Sequence, residues 1–133
     1  MNKLGMIAAA LASTVALASP VFAEWTWVDE NAIGDTYYID FDTVKENNGS
    51  VYYWEMNDYL KLTETGTLSA KVLKEIDCDI PRKSRILSDT YYTQPMASGS
   101  VNSSSNDASK WIYPSPSSVD EALTNKVCDY AVK

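Results

Sequence analysis

The sequence predicts an α+β fold: an antiparallel β-sheet meander of about five strands with a C-terminal α-helix, closed by one disulfide. Three observations lead there. Beyond residue 24, segments alternate apolar and polar residues with the two-residue period of strands. Turn-forming clusters at Gly34-Asp35, Asn47-Asn48-Gly49-Ser50 and Thr63–Gly66 separate them. Near the end, Ser118-Val119-Asp120-Glu121 is a capping box that opens a helical pattern.

The elements follow in order. Residues 1–23 read as a secretory signal peptide, with Lys3 in a short positive start, an uncharged apolar run from Leu4 to Val15, and Val21-Phe22-Ala23 as an A-x-A-like cleavage site. A membrane anchor is the alternative, but Ser13, Thr14, Ser19 and Pro20 interrupt a run that needs about 20 apolar residues to span. No second such run follows, and no cysteine at the cleavage site suggests a lipid anchor. Residues 24–133 then form one domain, expected to be exported and without a membrane span.

In that domain, Glu24–Val28 and Tyr37–Phe41 read as the first two strands. Asn48-Gly49 suits a tight hairpin because both residues tolerate positive φ. Val51–Leu62 is the longest strand candidate. Its even positions Tyr52, Trp54, Met56, Leu60 and Leu62 are apolar apart from Asp58, and are expected to face the core; the odd positions are mixed. In Leu68–Cys78, Ala70, Val72, Ile76 and Cys78 share a parity broken by Lys74. Arg82–Thr93 is a fifth strand. Gln94–Lys110, rich in Ser, Asn and Gly, reads as a long loop, which in a compact domain is mobile or functional.

The helix should run from Ser118 to about Tyr130, with Val119, Ala122, Leu123, Val127 and Tyr130 on one stripe. Cys78 and Cys128 are the two cysteines, and in an oxidising compartment an even count reads as a disulfide. They lack the C-x-x-C spacing of a redox pair. Cys128 lies nearly opposite the centre of the helical stripe, so either the helix frays before it or both sides of the helix touch protein.

Composition narrows the function. Removing the leader leaves 110 of 133 residues, and losing Lys3 takes the net charge from −7 to −8. Such an acidic domain repels nucleic-acid backbones, so no nucleic-acid partner is expected. Four tryptophans and nine tyrosines argue for an ordered fold. There is no histidine, which removes the commonest general base and metal ligand; with both cysteines paired, Ser/His, Cys/His and His-zinc chemistry are excluded. No cofactor is expected, and the chain is not read as an enzyme.

Four features could still carry a function. Asp40-Phe41-Asp42-Thr43-Val44 resembles the first motif of haloacid-dehalogenase phosphatases, but that chemistry needs a parallel sheet with crossover helices, and a strand end with a turn explains the aspartates. Asp77-Cys78-Asp79 places two carboxylates on one side of a strand without the cage calcium needs. Arg82-Lys83-Ser84-Arg85 is the single basic cluster, a candidate for an acidic partner surface or a solvated strand start. The doublets Tyr37-Tyr38, Tyr52-Tyr53 and Tyr91-Tyr92 must each put one ring on either side of a sheet. They serve as core and rim, or as an aromatic surface for a partner or a second copy. Arg82, Lys83, Arg85, Tyr53, Tyr59, Tyr91 and Tyr92 are the candidate partner-binding residues.

Trp27, Tyr38-Ile39-Asp40, Val44, Val51, Trp54 and Asp58-Tyr59 resemble the bacterial surface-adhesin protein E family. The likeness continues through Ser69, Lys71, Glu75-Ile76-Asp77-Cys78, Arg82, Arg85, Trp111, Pro114, Pro116, Glu121 and Val127-Cys128. The resemblance implies an antiparallel sheet with helical additions, a Cys78–Cys128 disulfide, and a non-enzymatic exported protein. It also implies a protein partner, since the namesake adhesin binds host extracellular-matrix and serum proteins. The expectation is therefore an adhesin-like binding protein in the periplasm or at the cell surface of a Gram-negative-type envelope. The alternative is a periplasmic structural or accessory protein that self-associates as a homo-oligomer with no host ligand.

Overall fold

The computed structural model describes residues 23–132, so all of the predicted leader but Ala23 lies outside the described residues. Six strands form one sheet in sequential order, every neighbouring pair antiparallel: β1 (Thr26–Glu30), β2 (Thr36–Asn47), β3 (Ser50–Asp58), β4 (Ser69–Asp77), β5 (Lys83–Gln94) and β6 (Ser98–Ser105). Helix α1 (Val119–Ala131) follows and packs across β1, β2 and β3.

The hairpins show why the strands form where they do. β2 and β3 turn through Asn48 (φ 53°) and Gly49 (φ 84°), the left-handed pair that matches the twist of a two-residue hairpin. The region read as a long loop supplies β6 instead. Its turn, Pro95-Met96-Ala97, has two non-glycine residues at positive φ, Met96 (58°) and Ala97 (56°). Distant side chains hold that turn: Asp58 Oδ1 accepts from Met96 N at 2.8 Å, and Ser69 Oγ accepts from Ala97 N at 2.9 Å. β6 covers the second half of β5. The first half is covered by the returning chain, where Ser84 and Ile112 exchange backbone bonds of 2.9 and 2.8 Å.

Paired residues in an antiparallel ladder share a face. Ile39, Glu55, Val72 and Asp89 therefore lie on one face, as do Tyr53, Lys74 and Ile86, and Val51, Ile76 and Ser84. This face carries the core: Ile39, Val51, Tyr53 and Ile76 pack against Leu123, Val127 and Cys128 of α1. The expectation for β3 is thus reversed. Its odd residues Val51, Tyr53 and Glu55 are buried under the helix, while Tyr52 and Trp54 look the other way. β3 also stops at Asp58, which leaves Leu60 and Leu62 exposed in the following loop.

The helix begins as the capping box predicts. Glu121 N donates to Ser118 Oγ at 3.1 Å, although the Glu121 carboxylate accepts from Ser117 N rather than from Ser118. Its buried residues are Leu123, Thr124, Val127 and Cys128. The packed face is therefore turned toward Cys128 relative to the predicted stripe, and Tyr130 ends up exposed, with its ring against Phe41 at 5.0 Å. This settles the Cys128 question: the helix does not fray, and Cys128 is fully buried within it and bonded to Cys78. Closing a loop of this length contributes about 4 kcal/mol in the chain-entropy account.

Candidate functional site

The uncovered face of the sheet is the more aromatic one. By register, Trp27, Tyr38, Met56, Lys71 and Thr90 form one row across it. Asp40, Trp54, Leu73 and Ser88 form the next, and Lys45, Tyr52, Glu75 and Arg85 the third. Trp27 is 55% exposed. Trp54, Tyr52, Tyr38 and Leu73 are half-buried by their neighbours, and together they shield Met56, which is fully buried without help from the helix.

Cations stitch this face together. Lys71 Nζ sits 4.6 Å from the Trp54 ring centroid. Trp111, brought back beside β5, meets Lys83 Nζ at 5.0 Å and the Arg85 guanidinium at 4.7 Å. Arg85 also donates from Nε and Nη2 to Glu75 Oε1, each at 2.8 Å. Burial alone would raise the Glu75 pKa, but bonds from Ser50, Arg85 and Tyr52 outweigh it and hold the carboxyl below its ordinary value. A shallow hollow of about 300 Å³ opens at the edge of the patch, lined by Asp42, Thr43, Lys45, Tyr52, Trp54 and Leu73.

The hollow exists because β2 bulges. The register shifts between Asp40 and Lys45, where Thr43 Oγ1 donates to Asp40 O at 2.6 Å and accepts from Trp54 N at 3.0 Å. The Asp40–Val44 motif is this bulge, in a sheet with no parallel pair among the described strands. Asp77 Oδ1 accepts from Asp79 N, an ordinary strand-end turn. Among the described residues, no cluster of three His, Cys, Asp or Glu is placed to hold a metal ion.

The structure separates the candidate partner-binding residues. Lys83, Arg85 and Tyr92 belong to the uncovered face. Arg82 precedes β5 and turns to the helix, with Nη1 donating to Asn125 Oδ1 at 2.8 Å and Nη2 pairing with Asp129 at 3.9 Å. Tyr53 is a correction: at 1% exposed it lies in the core, under the helix, and reaches no partner. Tyr59 and Tyr91 lie half-buried on the covered side, with Tyr91 OH donating to Asp89 Oδ2 at 3.5 Å. Lys83 and Arg85 therefore share one face beside Trp111, while Arg82, ahead of the strand, leaves the cluster for the helix.

Sequence reasoning missed Trp27, Trp54, Lys71, Leu73 and Trp111 as a surface. The signal was present. One short helix covers only one face of a long meander, so the apolar even positions of β3 had no second layer available to bury them.

The covered face holds a different polar arrangement. Lys74 Nζ pairs with Glu55 Oε1 at 3.1 Å and with Asp120 Oδ1 at 3.0 Å, and Tyr53 OH donates to the same Glu55 oxygen at 2.6 Å. Burial pulls the Lys74 pKa down, but the two carboxylates outweigh it and hold the ammonium charged. Burial, and then Glu55, push the Tyr53 pKa well up.

Residues 25–129 match the family described as Surface-adhesin protein E. The fold is also that of solved Haemophilus influenzae protein E structures. Crystal form II aligns with a TM-score of 0.63 at 14% identity, covering 86% of this chain and 94% of that one. A structure of protein E from non-typeable Haemophilus influenzae aligns at 0.55 and 13% identity, over 84% and 79% of the two chains. No curated protein sequence matches the chain.

Proposed function

The chain belongs to the surface-adhesin protein E family, an exported or cell-surface class, and from that premise we propose that it is a non-catalytic binding protein that engages a protein partner through the uncovered face of its sheet. The observation that carries this reading is the inversion of the two faces. The helix buries a face containing Glu55 and Lys74, while Trp27, Tyr38, Tyr52, Trp54, Leu73 and Trp111 are left without a covering layer. Aromatic side chains interleaved with Lys and Arg are the residues that anchor protein interfaces. The half-buried rings are already held by cation–π contacts and strand packing, so ordering them on binding costs little. Among the described residues no helix is long and apolar enough to cross a membrane.

Two measurements test this together. Protease accessibility on intact cells, against opened cells, reports whether the domain is displayed. Binding of the purified domain to immobilised extracellular-matrix and serum proteins reports the partner class. Digestion on intact cells with saturable binding to one of these proteins is the expected result. Protection until the outer membrane is opened removes the surface-adhesin reading and leaves a periplasmic partner or a second copy of the chain.

A further inference from the structure

The hairpin between β2 and β3 carries a chemistry that neither face of the sheet uses. Asn-x-Ser/Thr, with x other than proline, is the acceptor sequence for N-linked glycans, and it calls for a surface loop in an exported chain. It occurs twice here, at Asn48-Gly49-Ser50 and at Asn102-Ser103-Ser104. The family is an exported or cell-surface class, so the compartment suits the reaction.

The structure separates the two sequences. Asn102 is committed, because its Nδ2 donates to Thr65 O at 2.5 Å and to Thr67 Oγ1 at 3.1 Å. A sugar on that nitrogen would replace one of its two donating hydrogens and break a bond that ties β6 to the loop between β3 and β4. Asn48 has no such ties. It stands exposed at the tip of the hairpin, and its side-chain amide makes no hydrogen bond among the described residues. A Cβ added at the neighbouring Gly49 would meet nothing within 4 Å, so the space off the turn is open.

The flanking residues point the same way. Oligosaccharyltransferases that act on exported bacterial chains add a requirement for Asp or Glu two residues before the acceptor. Glu46 fills that position for Asn48, whereas Ser100 fills it for Asn102. Glu46, Asn47, Asn48 and Gly49 are exposed and Ser50 is half-buried. The enzyme must reach the Ser50 hydroxyl together with the Asn48 amide. Asn47–Ser50 is the terminal rung of the β2–β3 ladder, and a terminal rung frays at little cost while Val51, in the next rung, stays in the core.

We propose that Asn48 is an N-glycosylation acceptor that takes an oligosaccharide from a polyprenyl-diphosphate donor outside the cytoplasmic membrane. Asn48 Nδ2 forms a bond to the anomeric carbon of the first sugar. The anomeric C–O bond breaks, the polyprenyl diphosphate leaves with its electron pair, and one amide proton passes to solvent. Glu46 and Ser50 are positioning residues, read by the transferase and unchanged by the reaction. The glycan extends off the end of the sheet. Trp54 lies four residues along β3 from Ser50, roughly 13 Å away, so the partner face stays open.

The test expresses the full precursor in a bacterial host that has a periplasmic oligosaccharyltransferase and its lipid-linked donor, and in the same host without the transferase. The host is one in which a carrier protein bearing the same five residues in a flexible tail is glycosylated. Intact mass and glycopeptide mapping read the outcome. One glycan at Asn48, present only with the transferase, is expected. Asn48→Gln and Ser50→Ala should each abolish it. Glu46→Gln should lower occupancy at least about tenfold, the loss of one charge-assisted contact to the enzyme. An unfolded chain exposes the acceptor sequence more fully, so misfolding of a variant does not mimic these losses. Three results overturn the assignment: no glycan on the wild-type chain, a glycan at Asn102 instead of Asn48, or full occupancy in Glu46→Gln. None of these results depends on whether the aromatic face binds a partner, so failure here is distinguishable from failure of the partner-surface reading.

Discussion

The two faces of the sheet share the same strands and divide the three tyrosine doublets between them, yet they solve opposite problems. Tyr37, Tyr53 and Tyr91 lie on the covered side, and Tyr38, Tyr52 and Tyr92 on the uncovered side. The covered face is enclosed by α1 although it contains a carboxylate and an ammonium, and it is stable because Glu55, Lys74, Asp120 and Tyr53 satisfy one another. The uncovered face is the more apolar of the two along β3, and its rings are shielded only by neighbouring side chains and cations. Hydrophobic alternation in a strand therefore does not decide which face becomes the core. The helix and its disulfide to Cys78 decide it, and a compensated charge network makes the choice affordable.

The sharpest way to break the contrast is Lys74→Met. It leaves the buried Glu55 and the half-buried Asp120 without their cation and should cost about 3–5 kcal/mol in urea unfolding. Adding Glu55→Leu should recover much of that loss, because an apolar pair of similar volume removes the unpaired charge. A double variant no more stable than Lys74→Met would show that the network holds the helix by geometry rather than by charge compensation.

The disulfide comes next. Replacing Cys78 and Cys128 by serine should cost roughly 2–5 kcal/mol and release the helix from the covered face. An exposed apolar dye site that appears only in this variant would mark that release.

How far each face could be read from sequence follows from the same contrast. The strands, the Asn48-Gly49 hairpin, the capping box and the one-ring-per-face rule for the doublets were legible, because each depends on local spacing. The inner parity of Ala70, Val72 and Ile76 was legible for the same reason. β6 was not, because Pro95-Met96-Ala97 has no local turn signature and is held by Asp58 and Ser69 from 38 and 28 residues away. The orientation of β3 was not legible either. Glu55 looks like a surface residue until Lys74 and Asp120 are placed beside it. The same inverted reading makes Tyr53 look like a partner contact.

Alkaline pH should act on the covered side. Burial first, then the neighbouring Tyr91 and Tyr37, push the Tyr59 pKa up to about 12 from 10.0. Tyr37, Tyr53 and Tyr91 are raised as well, with burial the leading cause in each. A raised folded-state pKa means that the unfolded chain loses its protons first as pH rises. Tyr59 therefore contributes its full stability below pH 10 and loses it between about pH 10 and 12, and the other three lose theirs as pH rises above 10. Phenolate absorbance should rise together with unfolding in that window. Ionisation of these tyrosines at their ordinary pKa in a folded domain would contradict the burial described here.

The smallest stability effect belongs to the uncovered face. Trp54→Ala removes a half-buried ring and its Lys71 contact, and should cost about 1 kcal/mol or less. Its effect on function should be large. The most direct test compares wild type and Trp54→Ala for binding to the same immobilised matrix and serum proteins, with both verified as folded. Loss of at least tenfold in affinity for Trp54→Ala is the result this account predicts. Unchanged binding by Trp54→Ala, or no binding by the wild type to any of these proteins, would contradict it.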